Sequence, residues 1–134
     1  MSPLSMTWDK FWATRQASNA SRATHFVVGN EAADLDSVAC AIAYAYFDMR
    51  HEWIPVIQAR RCDLRLRREN VAHLEQCGID MDTVCCLDDV PAMHRGMHVV
   101  LVDHNRATKA FESATIDAIW DHHVEEHAHP EARV

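Results

Sequence analysis

At 134 residues the chain has room for one domain of ordinary size, and such a chain buries about two-thirds of its unfolded surface. Hydrophobic residues make up 49% and charged ones 25%, with three glycines and four prolines, which excludes a linker or low-complexity chain. A net charge of −7 excludes a phosphate-tracking nucleic-acid binder, and the longest uncharged run, Ser37 to Phe47, is far short of the roughly 20 residues that cross a bilayer.

Residues Thr7 to Ser18 place Trp8, Phe11, Trp12 and Arg15 at i, i+3, i+4 and i+7, which predicts a short amphipathic helix whose aromatics pack inward. The β-branched and aromatic run Thr24–Gly29 stops at Gly-Asn, so a strand enters a turn there. From Asp36 the period changes. Val38, Ala39, Ile42, Ala45, Tyr46 and Met49 recur at helical spacing, with Asp36 or Ser37 placed to cap the start. Ile54–Gln58 predicts a second strand, and an arginine-rich stretch (Arg60, Arg61, Arg65, Arg67, Arg68) leads to a helix over Glu69–Gln76 closed by Gly78. Three more strands are predicted over Thr83–Leu87, His98–Asp103 and Thr115–Asp121. The acidic, histidine-rich tail after Val124 is expected to fray. Strands alternating with helices predict an α/β fold with a mainly parallel sheet.

The polar N-terminus, with Trp8, Asp9, Lys10 and Trp12 interleaved, does not read as a secretory signal. Five cysteines at irregular spacing suit reduced thiols, and a cytoplasmic protein is expected. Cys77, Cys85 and Cys86 near His73 lack zinc-ligand spacing and read as core thiols. The arginines read as a solvated or ion-paired face, since no aromatics interleave them as in a nucleic-acid platform. His127 and His129 read as solvated tail residues.

Parallel sheets bind ligands beyond the carboxyl ends of their strands. Three polar clusters arrive at that edge: Asn30, Asp34 and Asp36 after the first strand, Asp103 after the fourth, and Asp121-His122-His123 after the fifth. Carboxylates crowded there repel one another unless cations lie between them. Mn²⁺ or Mg²⁺ would relieve that repulsion, favouring carboxylate oxygen and tolerating imidazole. The Asp-x-Asp spacing at 34 and 36 lets two carboxylates address two neighbouring ions. Turn and helix-cap roles explain Asp34 and Asp36 equally well when those two are taken alone. Their coincidence with a histidine pair at another strand end is what favours a metal site.

The segments Val28–Ser37, Leu101–Asn105 and Asp121–His123 resemble, in order, the first three motifs of the DHH phosphoesterase superfamily, over about Phe26 to Glu125. Gly-Asn-Glu-x-x-Asp-x-Asp-Ser resembles its exopolyphosphatase and prune-like branch, whereas family II pyrophosphatases usually carry His where Asn30 stands. Prune-like proteins often alter the last His of the third motif, and His123 is present here. The resemblance implies a Rossmann-like, parallel-sheet DHH domain that is incomplete at its C-terminus. It divides the chain into a lead-in over 1–23, the domain's N-terminal part over 24–125 and a tail over 126–134, with no C-terminal substrate-binding domain.

The activity implied is two-metal hydrolysis of phosphoanhydrides, with Asp36, Asp103, His122 and His123 as the catalytic set. Asn30 and Asp34 would lie around one ion, Asp36 at the other, Asp103 between both, and His122 would supply an imidazole to the second. His123 would meet phosphate or metal. His104, beside Asp103, either orients that carboxylate, meets phosphate or is a plain loop histidine. Two ions about 4 Å apart lower the pKa of a shared water and clamp phosphoryl oxygens, so no nucleophilic Ser or Cys is expected. The implied substrate is inorganic polyphosphate, losing its terminal phosphate; pyrophosphate or a nucleotide is the alternative, and a non-catalytic prune-like interaction protein is another.

The family's fourth metal carboxylate should lie roughly thirty residues beyond the DHH motif by ordinary βαβ spacing, yet only eleven residues follow His123. A basic C-terminal lid that would hold polyphosphate is also unmatched. The expectation is therefore weak Mn²⁺ binding, little or no polyphosphate hydrolysis by this chain alone, and self-association through uncovered sheet edges and helix faces.

Overall fold

Five strands form one sheet in the order β3-β2-β1-β4-β5, and every neighbouring pair runs parallel. They are β1 His25–Val28, β2 Ile54–Ile57, β3 Cys85–Cys86, β4 His98–Val102 and β5 Thr115–Trp120. The computed structural model describes residues 7–133; the first six residues of the expected lead-in and Val134 of the tail lie outside the described residues. A parallel sheet is covered on both faces, so its strands read as apolar runs. Alternation then divides them. Val27, Ile57, Val100, Val102 and Ala118 face one core, while Phe26, Val28, Ile54, Val56, Val99, Leu101, Ile116 and Ile119 face the other. The α/β class expected from the sequence is the observed one.

Helices cover only the first face. α1 (Trp8–Thr14), α2 (Leu35–Phe47) and α4 (Arg68–Gln76) contribute Phe11, Trp12, Val38, Ala41, Ala45 and Leu74 to that core, and the short α3 (Arg61–Arg65) adds Leu64. Ala41 and Ala45 keep α2 close to the sheet, which brings the start of that helix to the carboxyl ends of the strands. The second face is covered by irregular chain: Ala20 from a 3-10 turn, with Met97, Ala107, Phe111 and Ala114 from loops. Gly78 closes α4 at φ +73°, where Gly78 N–H donates to Glu75 O and Ile79 N–H to Leu74 O.

Several expectations need correction. The cap of α2 is Asp34, whose Oδ1 accepts from Ser37 N–H at 3.1 Å, rather than Asp36 or Ser37; the helix therefore starts a turn earlier. The third strand shrinks to two residues because 3-10 turns bracket it at Met81–Thr83 and Leu87–Asp89. Cys85 and Cys86 are buried thiols, but Cys77 is exposed. The tail does not fray. Ile119 N–H donates to Arg133 O at 2.7 Å and Arg133 N–H to Asp117 O at 3.0 Å, so the chain returns alongside β5 and covers part of that edge. His129 is tied in as well, its Nε2 accepting from Ala107 N–H at 3.0 Å. The arginine-rich stretch is ion-paired, Arg61 to Asp89 and Arg65 to Asp82, each at 2.5 Å. An open apolar groove lies between α2 and α4, lined by Leu35, Val38, Ile42, Tyr46 and Leu74, with Phe47 78% exposed at its rim. No helix among the described residues is long and apolar enough to cross a membrane.

Candidate metal centre

The strand order reverses between β1 and β4: from β1 the chain works outward through β2 and β3, and from β4 outward to β5. Ligands bind such sheets at this point, beyond the carboxyl ends. The loop after β1 is held from three directions. Gly29 permits the approach of α2, since a Cβ there would lie 2.6 Å from Ser37 Oγ and 3.1 Å from Ser37 O. Ser37 Oγ in turn takes the N–H of Asn30. Asn70 of α4 donates to Ala33 O at 2.7 Å, and Arg67 donates to Ala32 O. Asn30 is thereby fixed, with Oδ1 accepting from Ala32 N–H at 3.0 Å and Nδ2 donating to Asp103 O at 2.9 Å.

Asp103 follows β4 in the left-handed region, φ +62°, a conformation that Asp and Asn tolerate better than most residues. Its N–H donates to Trp120 O at 2.8 Å, which ties it to the end of β5. Its carboxylate is only 10% exposed, yet His122, 81% exposed, brings Nε2 to 3.0 Å from Oδ1. His123 Nδ1 lies 4.0 Å from the same oxygen and is hydrogen-bonded to Asp121 Oδ1. Asn105 donates to the other oxygen of Asp121 at 2.7 Å and to Val124 O at 3.0 Å, and its Oδ1 accepts from Glu126 N–H at 3.1 Å. Every hydrogen-bonding atom of that buried amide is therefore engaged in holding the loop after β5.

Charge at this edge follows from the neighbours. The hydrogen bond to Asp121 holds His123 above the usual imidazole pKa, and the charges of Asp121, Asp103 and Asp34 add to it. Burial pushes the Asp121 carboxyl up, but the hydrogen bonds from His123 and Asn105 outweigh it and leave the group below the ordinary carboxylate range. Burial raises the Cys40 thiol, and the charges of Asp103, Asp36 and Asp34 raise it further. One concentrated negative field therefore reaches α2 and both loops.

Of the residues expected to form the site, Asp103, His122 and His123 come together. With Asp121 they offer ligand atoms that all lie within 4.8 Å of one another. Asp36 stands outside that tight group but lines the same cavity of about 360 Å³, with Asp103, Asp121, His122, Cys40 and Trp120. Asp34 caps α2, as the plainer sequence reading had it. Asn30 and His104 line a neighbouring cavity that also touches Asp121 and His123. His104 turns away from the carboxylate: its Nδ1 donates to Val102 O at 2.9 Å, and its Nε2 lies 3.4 Å from Gln58 Nε2. Burial lowers its pKa, so it stays neutral more readily than an exposed histidine. Three residues were given no role at the site by the sequence reading. Asp121 sat in the DHH triplet and Asn105 in the Leu101–Asn105 motif, so both carried a signal. Gln58, a buried bridge from Gly29 O (2.7 Å) to Thr108 Oγ1 (2.7 Å), carried none.

Two carboxylates and two imidazoles, with no thiolate among them, make a donor set that fits a hard or borderline divalent cation. Fold and site together define a parallel α/β domain with a carboxylate–imidazole centre at its switch point. The N-terminal domain of the DHH family matches residues 24–134, and the chain belongs to that family. The chain is 33% identical over 120 residues to the exopolyphosphatase PRUNE1 of Bos taurus, covering 81% of this chain and 26% of the relative. It is 32% identical over 132 residues to that of Rattus norvegicus, covering 90% and 29%. A Schizosaccharomyces pombe protein provisionally named an exopolyphosphatase is 38% identical over 119 residues, covering 78% and 31%. The chain thus spans between about a quarter and a third of the length of these relatives.

Proposed function

We propose that the protein is a metal-dependent phosphoanhydride hydrolase that releases terminal phosphate from inorganic polyphosphate, and that two divalent cations, Mn²⁺ or Mg²⁺, are held at the carboxyl edge of the sheet. The observation that carries this reading is the close approach of Asp103, Asp121, His122 and His123 at the switch point, with Asp36 on the same cavity. Asn30 and Asp34 would serve one ion, Asp36 and His122 the other, and Asp103 would lie between both. Bound there, the ions would lower the pKa of a water and neutralise phosphoryl oxygens. The chain's own residues supply position. Asn30 holds the backbone of Asp103, Asn105 holds Asp121, and Asp121 keeps a proton on His123, which then faces phosphate as a donor. The names of the relatives support the hydrolase class and the polyphosphate substrate.

The test is phosphate release from long-chain polyphosphate in Mn²⁺ or Mg²⁺, with Asp103→Asn and His122→Ala as controls. Slow, metal-dependent release that both substitutions abolish is the expected result for this chain alone. Release from pyrophosphate or nucleotides but never from long chains would replace the substrate class. Activity untouched by either substitution would remove the site.

A further inference from the structure

We propose that the protein binds a phosphate-class oxyanion at the opposite, amino-terminal edge of the sheet, in the cavity between the end of α1 and the starts of β1 and β2. This site is independent of the hydrolase reading, lying at the other ends of the same strands. The cavity, of about 280 Å³, is lined by Thr14, Asn19, Arg22, Thr24, His25 and Glu52. Linked to it through Thr14 on its wall, though not itself lining it, is Arg15, 5% exposed and stacked over Phe11 with its guanidinium carbon 5.2 Å from the ring centre.

Arg15 is the anomaly. Among the described residues its side chain hydrogen-bonds only to the hydroxyl of Thr14, a residue lining the cavity, and its Nε is buried with no partner. No carboxylate among the described residues lies within 4.0 Å of it. A buried guanidinium without a counter-charge is costly, and burial pushes its pKa below the usual arginine range, with Glu52 only partly offsetting that. An anion in the adjoining cavity would relieve the cost.

The surrounding groups suit an oxyanion. Arg22 adds a second fork of donors, Asn19 an amide, Thr14 and Thr24 hydroxyls. His25, on the cavity wall, stacks between His51 and His98 at 4.3 and 4.7 Å. The other buried side-chain donor lacking a partner, Trp53 Nε1, belongs to the same edge, where the ring packs against His25 and His51. Donors exceed acceptors here. Glu52 opposes the anion, and it is the one carboxylate on the cavity wall.

The experiment is a titration of the full chain with orthophosphate and, separately, with tripolyphosphate at constant ionic strength. EDTA keeps the carboxyl-edge carboxylates free of metal, and binding is read by calorimetry and by the melting temperature. A saturable one-to-one site is expected. Arg15→Met and Arg22→Gln should each weaken it at least tenfold, Glu52→Gln should tighten it severalfold, and Asp103→Asn should leave it unchanged. Because Arg22 is exposed, its variant keeps the test meaningful if Arg15→Met fails to fold. Equal binding of both ligands identifies a single phosphoryl group as the ligand, and preference for tripolyphosphate identifies a phosphate chain; either sustains the site. A phosphate effect no larger than that of chloride, or one that survives Arg22→Gln, overturns it, and so does one lost in Asp103→Asn.

Discussion

Two histidines at opposite ends of one sheet, His123 and His25, have opposite electrostatic fates. At the carboxyl edge, His122 and His123 face Asp103 and Asp121, and hydrogen bonding to Asp121 raises the pKa of His123. At the amino edge, His25 lies stacked between His51 and His98, edge-on to Trp53. Burial lowers the pKa of His25, the two neighbouring imidazoles lower it further, and Asp117 only partly compensates. The residue type is the same. What differs is whether carboxylates or other imidazoles face it, and strand polarity decides that. The loops that leave β1, β4 and β5 at their carboxyl ends carry Asp34, Asp36, Asp103 and Asp121, whereas at the amino end His25, His51 and His98 meet one another and Trp53, with Asp117 3.0 Å from His98 alone.

This contrast breaks in predictable ways. The largest effect is structural: Trp53→Ala removes a buried ring from the amino edge and should cost about 3–5 kcal/mol in urea unfolding. Mn²⁺ affinity of the folded fraction should stay the same. Asp103→Asn keeps a side chain suited to the left-handed backbone but removes the charge that both histidines face. Its Mn²⁺ affinity by calorimetry should fall at least about 100-fold, because even the loss of an outer-shell partner costs roughly 10–100-fold. Little change in melting temperature should accompany it. Asn105→Ala tests the support of Asp121. The amide touches none of the proposed ligands and acts through Asp121, so about tenfold weaker Mn²⁺ binding is expected, with a stability loss of about 1–3 kcal/mol for the buried groups left unpaired.

The smallest effect is pH dependence at the amino edge. His25 binds a proton less readily folded than unfolded, where its value lies near 6.5. Above that value both states are neutral at this position and it contributes nothing. As pH falls through 6.5 the unfolded chain takes up the proton first, and stability drops until the folded pKa is passed. The contribution of His25, read as the difference in urea unfolding between the parent and His25→Phe, should therefore fall between about pH 7.5 and 5.5, against the opposite contribution of His123. His25→Phe should flatten that part of the slope. A variant slope as steep as the parent's would show that the stacked imidazoles do not control it.

The two edges also differ in how far they could be foreseen. Asp103, His122 and His123 were legible because each ends an apolar run, and in a parallel sheet strand ends meet at one edge. The helix cap at Asp34 was legible as a residue type but placed two or three positions late, since capping depends on where the backbone leaves the turn. Gln58 acts through contacts to chain far away in sequence, Gly29 and Thr108, so spacing could not announce it. The docked tail escaped for the same reason: polar composition predicted fraying, and the open edge of β5 supplied the hydrogen bonds that hold Arg133.

Residue order alone determined the alternation of strands with helices, the apolar strands of a doubly covered sheet and the acidic loops that follow β1, β4 and β5. These are local properties, set by hydrophobic period and turn chemistry. Only the tertiary structure decided which carboxylate faces which imidazole, because strand order and the close approach of α2 at Gly29 bring together side chains as far apart as Asn30 and Asp103. The same packing buried Arg15 without a counter-ion, a mismatch that arises only when charge and burial are set by separate parts of the chain.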